Sequence, residues 1–264
     1  NPQIDYHFVH IPKCGGTSMT SVLRAIACSQ DEVRNEDCCT SPGFCDHNAG
    51  RRCATIKGCI NHIPQRKWLF KPPKSITLMR EPFSRLVSAF FYRGHSPNLD
   101  FFQVRPEFKQ IKLGKAPRVE FPEYIEMLEY QNIQTRMLGA DSFPYRAVEI
   151  TDEIFTKAKE ALKQFFFVGI QEQYDLSVEL LQRELGMKNI IPVKNERENS
   201  SPRTKRMKDR IRGDATLVAR TRQVNDWDVQ LYKLAVRHFC RTLAKHPDLM
   251  AKLDSKKVDC ERSR

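Results

Sequence analysis

The sequence predicts an α/β fold in which a central, mostly parallel sheet is flanked by helices. Three segments carry this prediction, since in each of them a short apolar run leads directly into a helical pattern; they span residues 8–26, 76–90 and 165–181. Strands that alternate with helices pair in parallel, because each helix returns the chain to the same end of the sheet. The length of 264 residues suits one large domain with a full core, so we expect a single domain over residues 1–264.

A glycine-containing turn joins the first strand, at residues 8–11, to the first helix. Its residues are Pro12, Lys13, Cys14, Gly15, Gly16, Thr17 and Ser18. Backbone N–H groups at the start of a helix lack acceptors within the helix, and the helix dipole favours an anion beside them. The lysine adds a positive charge and the two hydroxyls add donors, so the turn is suited to bind a phosphate or a sulfate. The alternative is an ordinary strand-to-helix turn that needs glycine for a positive φ.

The order of residues in this turn differs from that of the nucleoside triphosphatase loop. There the lysine follows the glycines, as in G-x-x-x-x-G-K-[ST], whereas Lys13 precedes Gly15 and Gly16. The chain also has no evident aspartate for Mg²⁺ at the end of an apolar strand. We therefore expect lysine, arginine and backbone amides, rather than a metal ion, to neutralise the bound anion.

A second candidate anion site follows the strand predicted over residues 76–79. Arg80 lies just beyond that strand, and Pro82 suits the first turn of a helix, where its missing N–H costs nothing. Four apolar residues then repeat at helical spacing and predict the buried face of this helix: Phe83, Leu86, Val87 and Phe90. Arg80 with its forked donors and Ser88 with its hydroxyl can close on one anion. A surface or salt-bridged arginine is the alternative.

The two blocks together resemble the sulfotransferases that use 3′-phosphoadenosine 5′-phosphosulfate (PAPS) as the sulfate donor. Within that family the chain is most similar to the Golgi carbohydrate enzymes, and above all to heparan sulfate 6-O-sulfotransferases, over about residues 5–240. The resemblance implies a P-loop-like sulfotransferase fold. It also implies that residues 12–18 bind the 5′-phosphosulfate and that Arg80 and Ser88 bind the 3′-phosphate. Cys14 departs from the pattern, because that group usually has threonine there.

The resemblance extends to a segment that lies along the active cleft in the 6-O group. This segment matches at Asn132, Gln134 and Arg136, and the resemblance implies that these side chains contact the acceptor. The alternative is a helix whose apolar residues face the core while its polar residues face water.

A basic stretch covers residues 202–222. In sulfotransferases a basic loop before the last helix covers the nucleotide, so the resemblance implies that Arg203, Thr204 or Lys205 contacts the 3′-phosphate side of the donor. Blocks of like charge are otherwise solvated or disordered, and the remaining cations of the stretch suit a surface that faces a polyanion.

Sulfuryl transfer to an alcohol needs a base for the hydroxyl proton, and histidine is the usual one near neutral pH. His62 follows an apolar stretch between the two anion-binding blocks, where the 6-O group has its base, so the resemblance assigns that role to His62. His47, Glu32 and Glu36 are the alternatives. By analogy with phosphoryl transfer, catalysis rests on positioning and electrostatics, and Lys13 would stabilise the charge on the leaving phosphate oxygen.

Nine cysteines are many for a cytosolic enzyme. Six lie within residues 28–59, which we interpret as a looped insertion stapled by disulfides: Cys28, Cys38, Cys39, Cys45, Cys53 and Cys59. Six cysteines allow about 15 pairings, so the connectivity stays open. Cys240 and Cys260 are candidates for a further disulfide, which leaves Cys14 over. Zinc is the alternative, but no clean pair of C-x₂-C motifs is present, and disulfides indicate the secretory pathway.

The formal net charge of +12 indicates an anionic partner. Together with the resemblance, it implies an anionic glycan, or another molecule with a hydroxyl, as the acceptor, and no nucleic acid. No apolar run reaches the length of a membrane span, so we expect membrane contact only through an anchor upstream of these residues. The resemblance implies a single-pass anchor and a location in the Golgi lumen.

Two other classes of protein stay open. A nucleotide-dependent kinase of related fold would need Mg²⁺ ligands and a lysine after the glycines, which the sequence does not show. A secreted module that only binds heparin-like polyanions explains the charge and the cysteines, but it leaves the Lys13 turn and the Arg80–Ser88 spacing as coincidence.

Overall fold

A computed structural model describes residues 6–29, 56–58, 74–91, 120–140, 147–191 and 201–261. Within these ranges four strands form one sheet in the order β2-β1-β3-β4, and every pairing is parallel. The strands are β1 (Tyr6–Val9), β2 (Ile56–Gly58), β3 (Lys74–Met79) and β4 (Phe167–Ile170). The predicted α/β class is confirmed.

Helices occupy most of the other described residues. They are α1 (Gly16–Ser29), α2 (Pro82–Phe90), α3 (Phe121–Glu126), α4 (Ile133–Gly139), α5 (Asp152–Gln164), α6 (Tyr174–Glu184), α7 (Pro202–Gly213), α8 (Ala215–Val224), α9 (Asp226–Leu243) and α10 (Pro247–Met250). Short 3-10 turns cover Leu128–Tyr130 and Gln171–Gln173.

The carboxyl ends of β1, β3 and β4 meet at one edge of the sheet. The register shows this, because Val9 pairs with Thr77 and Thr77 pairs with Val168. From β1 the chain passes to β2 on one side and then returns to the other side of β1 for β3, so the strand order reverses between β1 and β3. Open α/β sheets bind ligands in the crevice at such a reversal. The turn after β1 and the residues after β3 therefore lie where a ligand is expected.

Two apolar clusters hold this arrangement. The larger one joins the sheet to α1, α6 and α9, and it buries the apolar residues predicted for the first helix: Met19, Val22, Leu23 and Ile26. The smaller cluster joins α2 to α3, where the rings of Phe90 and Phe121 meet edge to face with centroids 5.2 Å apart. Edge-to-face contact is a favoured arrangement of aromatic rings, so α2 is fixed relative to the end of β3.

The basic stretch after residue 201 is folded, as the two helices α7 and α8. Each helix has its own cap, because the Ser201 hydroxyl accepts a hydrogen bond from the Thr204 N–H and the Asp214 carboxylate accepts one from the Leu217 N–H. Ile211 and Leu217 pack against the smaller apolar cluster. Capping and packing together outweigh the repulsion among the cations of this stretch.

The cysteine predictions have two outcomes. Cys240 and Cys260 form the predicted disulfide, with Cα atoms 5.5 Å apart, and Cys14 is free and buried. Within the segment predicted as a looped insertion, residues 56–58 form the edge strand β2. Residues 30–55 and Cys59 lie outside the described residues, so the pairing predicted there stays a prediction.

Candidate active site

The turn after β1 has two residues in the left-handed region. Lys13 has φ 65° and Gly15 has φ 85°, and glycine adopts such values without strain. The Cys14 N–H donates to the Ile11 carbonyl at 3.3 Å, while the Met19 N–H donates to the Gly15 carbonyl at 3.0 Å. The chain therefore reverses tightly and starts α1 at once, which leaves the first N–H groups of the helix directed at the mouth of the turn.

Neighbouring side chains occupy the place of a Cβ at both glycines of the turn. A Cβ at Gly16 would overlap the imidazole of His10, and a Cβ at Gly15 would overlap the side-chain carbonyl of Gln171. The buried His10 ring stacks on Phe8 with centroids 5.7 Å apart. Neither His10 nor Gln171 was among the site residues predicted from the sequence. The signal available for His10 was its place directly before the turn, whereas Gln171 comes from a distant part of the chain.

Arg80 connects the two predicted anion-binding blocks. Its Nη1 donates to the Lys13 carbonyl at 3.0 Å, so the carboxyl end of β3 touches the turn after β1. The guanidinium is largely buried, with one fifth of its side chain exposed. Its Nε lies 4.0 Å from the Glu172 Oε1 and has no hydrogen-bond acceptor among the described residues. The Nε is shielded from solvent. Since a guanidinium carries five N–H donors and one Nη1 donor bonds the Lys13 carbonyl, the other Nη donors of Arg80 are the ones that a ligand can use.

Burial lowers the pKa of Arg80, and the nearby Glu172 carboxylate acts against that shift. The carboxylate of Glu172 is itself held in place, because it accepts hydrogen bonds from the Tyr232 hydroxyl at 2.8 Å and from the Glu81 N–H at 3.1 Å. Burial is also the main reason why the pKa of Glu172 is raised. The end of β3 thus carries a partly desolvated cation, which attracts an anion more strongly than a solvated one would.

Ser88 lies on α2 and is half-buried. It is one turn beyond Ser84 on the same face of the helix, and α2 starts beside Arg80. No hydrogen bond between Ser88 and Arg80 occurs among the described residues, so their joint role stays a prediction. Of the predicted turn residues, Ser18 is buried, and the side chain of Thr17 is outside the described part of the chain.

Gln134 fixes the backbone of Arg80. Its Nε2 donates to the Arg80 carbonyl at 2.9 Å, and its Oε1 accepts from the Arg80 N–H at 3.0 Å. The Cys14 thiol lies 3.5 Å from the same oxygen. Burial raises the pKa of Cys14 to about 12, so the thiol is protonated at neutral pH and points into the protein. One buried amide therefore connects the glycine turn, the end of β3 and α4.

Asn132 connects α4 to α8 and α9 through hydrogen bonds. Its side chain donates to the Val224 carbonyl at 3.2 Å and accepts from the Asp228 N–H at 3.1 Å, while its backbone N–H donates to the Asn225 side chain at 2.9 Å. In return, the Asp228 carboxylate accepts hydrogen bonds from two N–H groups in the first turn of α4, at 3.1 and 2.7 Å. These contacts position α4; a contact between Asn132 and the acceptor stays a prediction.

Arg136 is fully buried and its hydrogen bonds are internal. It donates to three backbone carbonyls at 3.0–3.1 Å, those of Leu128, Glu129 and Val148. Burial lowers its pKa to about 10, which still leaves it charged at neutral pH. The hydrogen bonds to these carbonyls give Arg136 a structural role. Its predicted role in acceptor binding stays a prediction.

The predicted residues of the basic stretch lie at the start of α7. Arg203 and Lys205 are exposed, and Thr204 takes part in the helix cap. The cation of α7 that acts on Arg80 is Arg212, at the opposite end, since its charge is one of those that lower the pKa of Arg80. A helix rises about 1.5 Å per residue, so Arg203 lies roughly 13 Å further along the axis. A contact between residues 203–205 and the donor stays a prediction.

The predicted base His62 lies outside the described residues, as do His47, Glu32 and Glu36. What the structure adds is the position of β2, which ends at Gly58 beside β1 and parallel to it. The chain leaves β2 at the same edge of the sheet as the glycine turn, four residues before His62.

A cavity of about 500 Å³ opens beside Arg80. It is bounded by Arg80, by the residues that follow β4 and by the C-terminal segment, and its lining residues are Gln171, Glu172, Gln173, Tyr174, Asp175, Leu176, Glu179, Lys252, Asp254 and Lys257. Gln171 contacts the glycine turn and also lines the cavity. The cavity therefore lies beside Arg80 and adjoins the turn through Gln171, and its volume is typical of a small-molecule site.

The described residues hold no group of three or more His, Cys, Asp or Glu side chains placed to bind a metal ion. In the same part of the chain, no helix is both long and apolar enough to cross a bilayer.

A sequence profile of the Sulfotransferase family matches residues 1–235, and the chain therefore belongs to this family. A search of curated proteins finds no match. Membership of a sulfotransferase family confirms the predicted enzyme class, so the protein is a sulfotransferase, an enzyme that transfers sulfuryl groups. The finer resemblance to heparan sulfate 6-O-sulfotransferases stays a prediction.

Proposed function

We propose that the protein transfers a sulfuryl group from PAPS to a hydroxyl group of an acidic glycan. One observation carries the proposal: Arg80 Nη1 contacts the Lys13 carbonyl at 3.0 Å, at the point where the strand order of the sheet reverses. Two blocks of sequence that are 67 residues apart therefore build one anion-binding edge. PAPS carries anionic groups at both ends of its nucleoside, which is the ligand that such a pair of blocks fits.

The chain has a candidate for each part of the donor. The first N–H groups of α1 and the Lys13 ammonium suit the 5′-phosphosulfate. Arg80, with donors left over, suits the 3′-phosphate, together with the Ser88 hydroxyl. The cavity between Gln171 and Arg80 has the volume for the nucleoside. Sulfotransferases generally use this donor, and positive charge plus backbone amides supply the neutralisation that its phosphates need.

The reaction forms a bond from sulfur to the acceptor oxygen and breaks the bond from sulfur to the leaving phosphate oxygen. The acceptor loses its proton to a base, and negative charge grows on the phosphate. Lys13 is our candidate for stabilising that charge, and the amides of the turn are our candidates for holding the 5′-phosphate. His62 remains our candidate for the base, supported by its place just after the carboxyl end of β2. Catalysis of this kind consists of positioning and electrostatics.

Three features support an acidic glycan as the acceptor. The net charge is +12, and the exposed face of α7 is cationic. The Cys240–Cys260 disulfide fits an oxidising compartment, where acidic glycans are made. We therefore propose the Golgi lumen as the location, with a membrane anchor outside these residues.

Transfer of labelled sulfate from PAPS to a panel of glycans, peptides and small alcohols tests the proposal. Lys13→Ala should lower turnover by two to three decades, equivalent to about 3–4 kcal/mol, the usual effect of removing one donor to the charge that develops in the transition state. Lys233→Ala on the exposed side of α9 is the matched control, and it should leave turnover unchanged. Equal turnover of Lys13→Ala and the wild-type protein would contradict the assignment of the turn.

A further inference from the structure

Helix α7 carries an unusual amount of positive charge. Its twelve residues include six cations and one acid, Asp209. The cations are Arg203, Lys205, Arg206, Lys208, Arg210 and Arg212. Like charges one turn apart destabilise a helix by a few tenths of a kcal/mol, so this composition is not explained by the stability of the helix itself.

The cations form two stripes on different faces of α7. At 3.6 residues per turn, positions separated by three and seven residues share a face. The inner stripe consists of Lys205, Lys208 and Arg212, and the outer stripe consists of Arg203, Arg206 and Arg210. The two stripes lie on nearly opposite sides of the helix axis.

Two members of the inner stripe, Lys208 and Arg212, interact with other described residues. The Lys208 ammonium lies over the ring of Phe91, 5.6 Å from its centroid. Arg212 pairs with Asp209 at 3.4 Å, and its charge acts on Arg80. Between the stripes, Ile211 packs on the apolar cluster of α2 and α3. This side of α7 therefore packs toward α2 and α3, and Arg212 at its end is the member whose charge acts on Arg80.

The outer stripe lies on the opposite side of α7. Arg203, Arg206 and Arg210 are exposed, and none of them forms an ion pair with another described residue. With about 1.5 Å of rise per residue, the three charges extend over roughly 10 Å. A row of exposed cations without carboxylate partners is complementary to a linear polyanion.

We propose that the outer stripe is an extended subsite that binds an anionic stretch of the acceptor chain, remote from the hydroxyl that is sulfated. The inference rests on the proposed function, and it adds where and how the acceptor is held. Since a helix with its side chains is about 10–12 Å across, a chain that reaches both the donor site and the outer stripe must pass around α7. The subsite therefore selects long, acidic acceptors over short ones.

The occupant is a glycan rather than a nucleic acid for two reasons. Single-stranded nucleic acids are bound with aromatic side chains that stack on the bases, and α7 has no aromatic residue. The disulfide Cys240–Cys260 also fits an oxidising compartment, where acidic glycans are the abundant polyanions.

The double variant Arg206→Ala/Arg210→Ala tests the subsite. We expect the KM for a long heparin-like acceptor to rise about tenfold, with unchanged kcat, because two exposed charge contacts of up to about a factor of five each are lost. The KM for a tetrasaccharide acceptor and the affinity for PAP, the desulfated donor, should not change. Binding of the long chain should also depend less steeply on salt concentration.

Two control variants separate a local effect from a general one. Lys233→Ala/Arg237→Ala removes two exposed cations with the same spacing from α9, and it should leave the KM for the long acceptor unchanged. Arg206→Lys/Arg210→Lys keeps the charge and should restore most of the affinity. Circular dichroism melts of all variants check that α7 is folded.

Several results would overturn the inference. One is an unchanged KM for the long acceptor in Arg206→Ala/Arg210→Ala. Another is an equal rise of this KM in the α9 control variant. A third is a loss of PAP affinity in Arg206→Ala/Arg210→Ala, which would assign the outer stripe to donor binding. Tighter binding of RNA than of heparin-like chains would replace the glycan with a nucleic acid. If the wild-type protein binds no PAP, the proposed function fails, while direct binding of labelled glycan to the same variants still tests the subsite.

Discussion

The end of β3 and the helix α4 each place an arginine inside the protein, but the two side chains have different partners. Arg136 in α4 donates to three carbonyls at 3.0–3.1 Å and is fully buried. Arg80 after β3 makes one hydrogen bond to the Lys13 carbonyl, borders a cavity and is one-fifth exposed. A buried arginine that is surrounded by backbone carbonyls stabilises the fold. One that keeps donors at a cavity is available for an anionic ligand.

The largest expected effect is a loss of stability when Arg136 in α4 is replaced. Arg136→Met should lower the free energy of unfolding by about 3 kcal/mol, because one buried and two part-buried carbonyls lose their donor and each buried group left unpaired costs roughly 1–3 kcal/mol. Urea denaturation followed by circular dichroism measures the change. Arg80→Met is the matched variant, and it should lose only about 1 kcal/mol. Similar losses for the two variants would erase the distinction between the two arginines.

Gln134 joins the two regions, so Gln134→Leu should affect both. The variant loses two hydrogen bonds to the Arg80 backbone, and we expect a loss of about 1–3 kcal/mol in stability. The released Arg80 should also bind PAP several-fold more weakly. Titration calorimetry and denaturation on the same sample separate the two effects. Unchanged PAP affinity in a destabilised variant would show that Gln134 supports the fold alone.

The smallest expected effect concerns the thiol in the turn. Because the pKa of Cys14 is raised to about 12, and the reactive form of a thiol is the thiolate, Cys14 should resist iodoacetamide in the folded protein between pH 7 and 9. Its labelling should begin only when the protein unfolds, which mass spectrometry of the peptide detects. Rapid labelling at pH 8 under native conditions would mean that the thiol faces the ligand side of the turn.

Local patterns were enough to predict the elements that carry the site. The apolar runs before Lys13 and Arg80 predicted β1 and β3, and Pro82 predicted the start of α2, because strand period and helix start signals are properties of a few neighbouring residues. Parallel pairing follows from the alternation of strands and helices. The meeting of the turn and Arg80 at one edge was then a consequence of topology.

Contacts between distant segments could not be predicted from the sequence. Nothing near Gln171 or Glu172 indicates that they lie against Gly15 and Arg80, since these contacts depend on the register of β3 with β4. The structural role of Gln134 could not be predicted either, because a polar residue in a helix is expected to face solvent unless its hydrogen-bond partner is known. The basic stretch was predicted to be a loop that covers the nucleotide, with a solvated segment as the alternative, and it instead forms α7 and α8, which two caps and a few apolar contacts stabilise.

The central claim is that the turn after β1 and Arg80 together bind one donor nucleotide. Titration calorimetry of PAP into the wild-type protein and into Arg80→Met tests it most directly. We predict binding by the wild-type protein and an affinity about 10–100-fold lower in the variant, the effect of losing hydrogen bonds to a charged group, with the fold intact by circular dichroism. Equal affinities, or no binding by the wild-type protein, would contradict the claim.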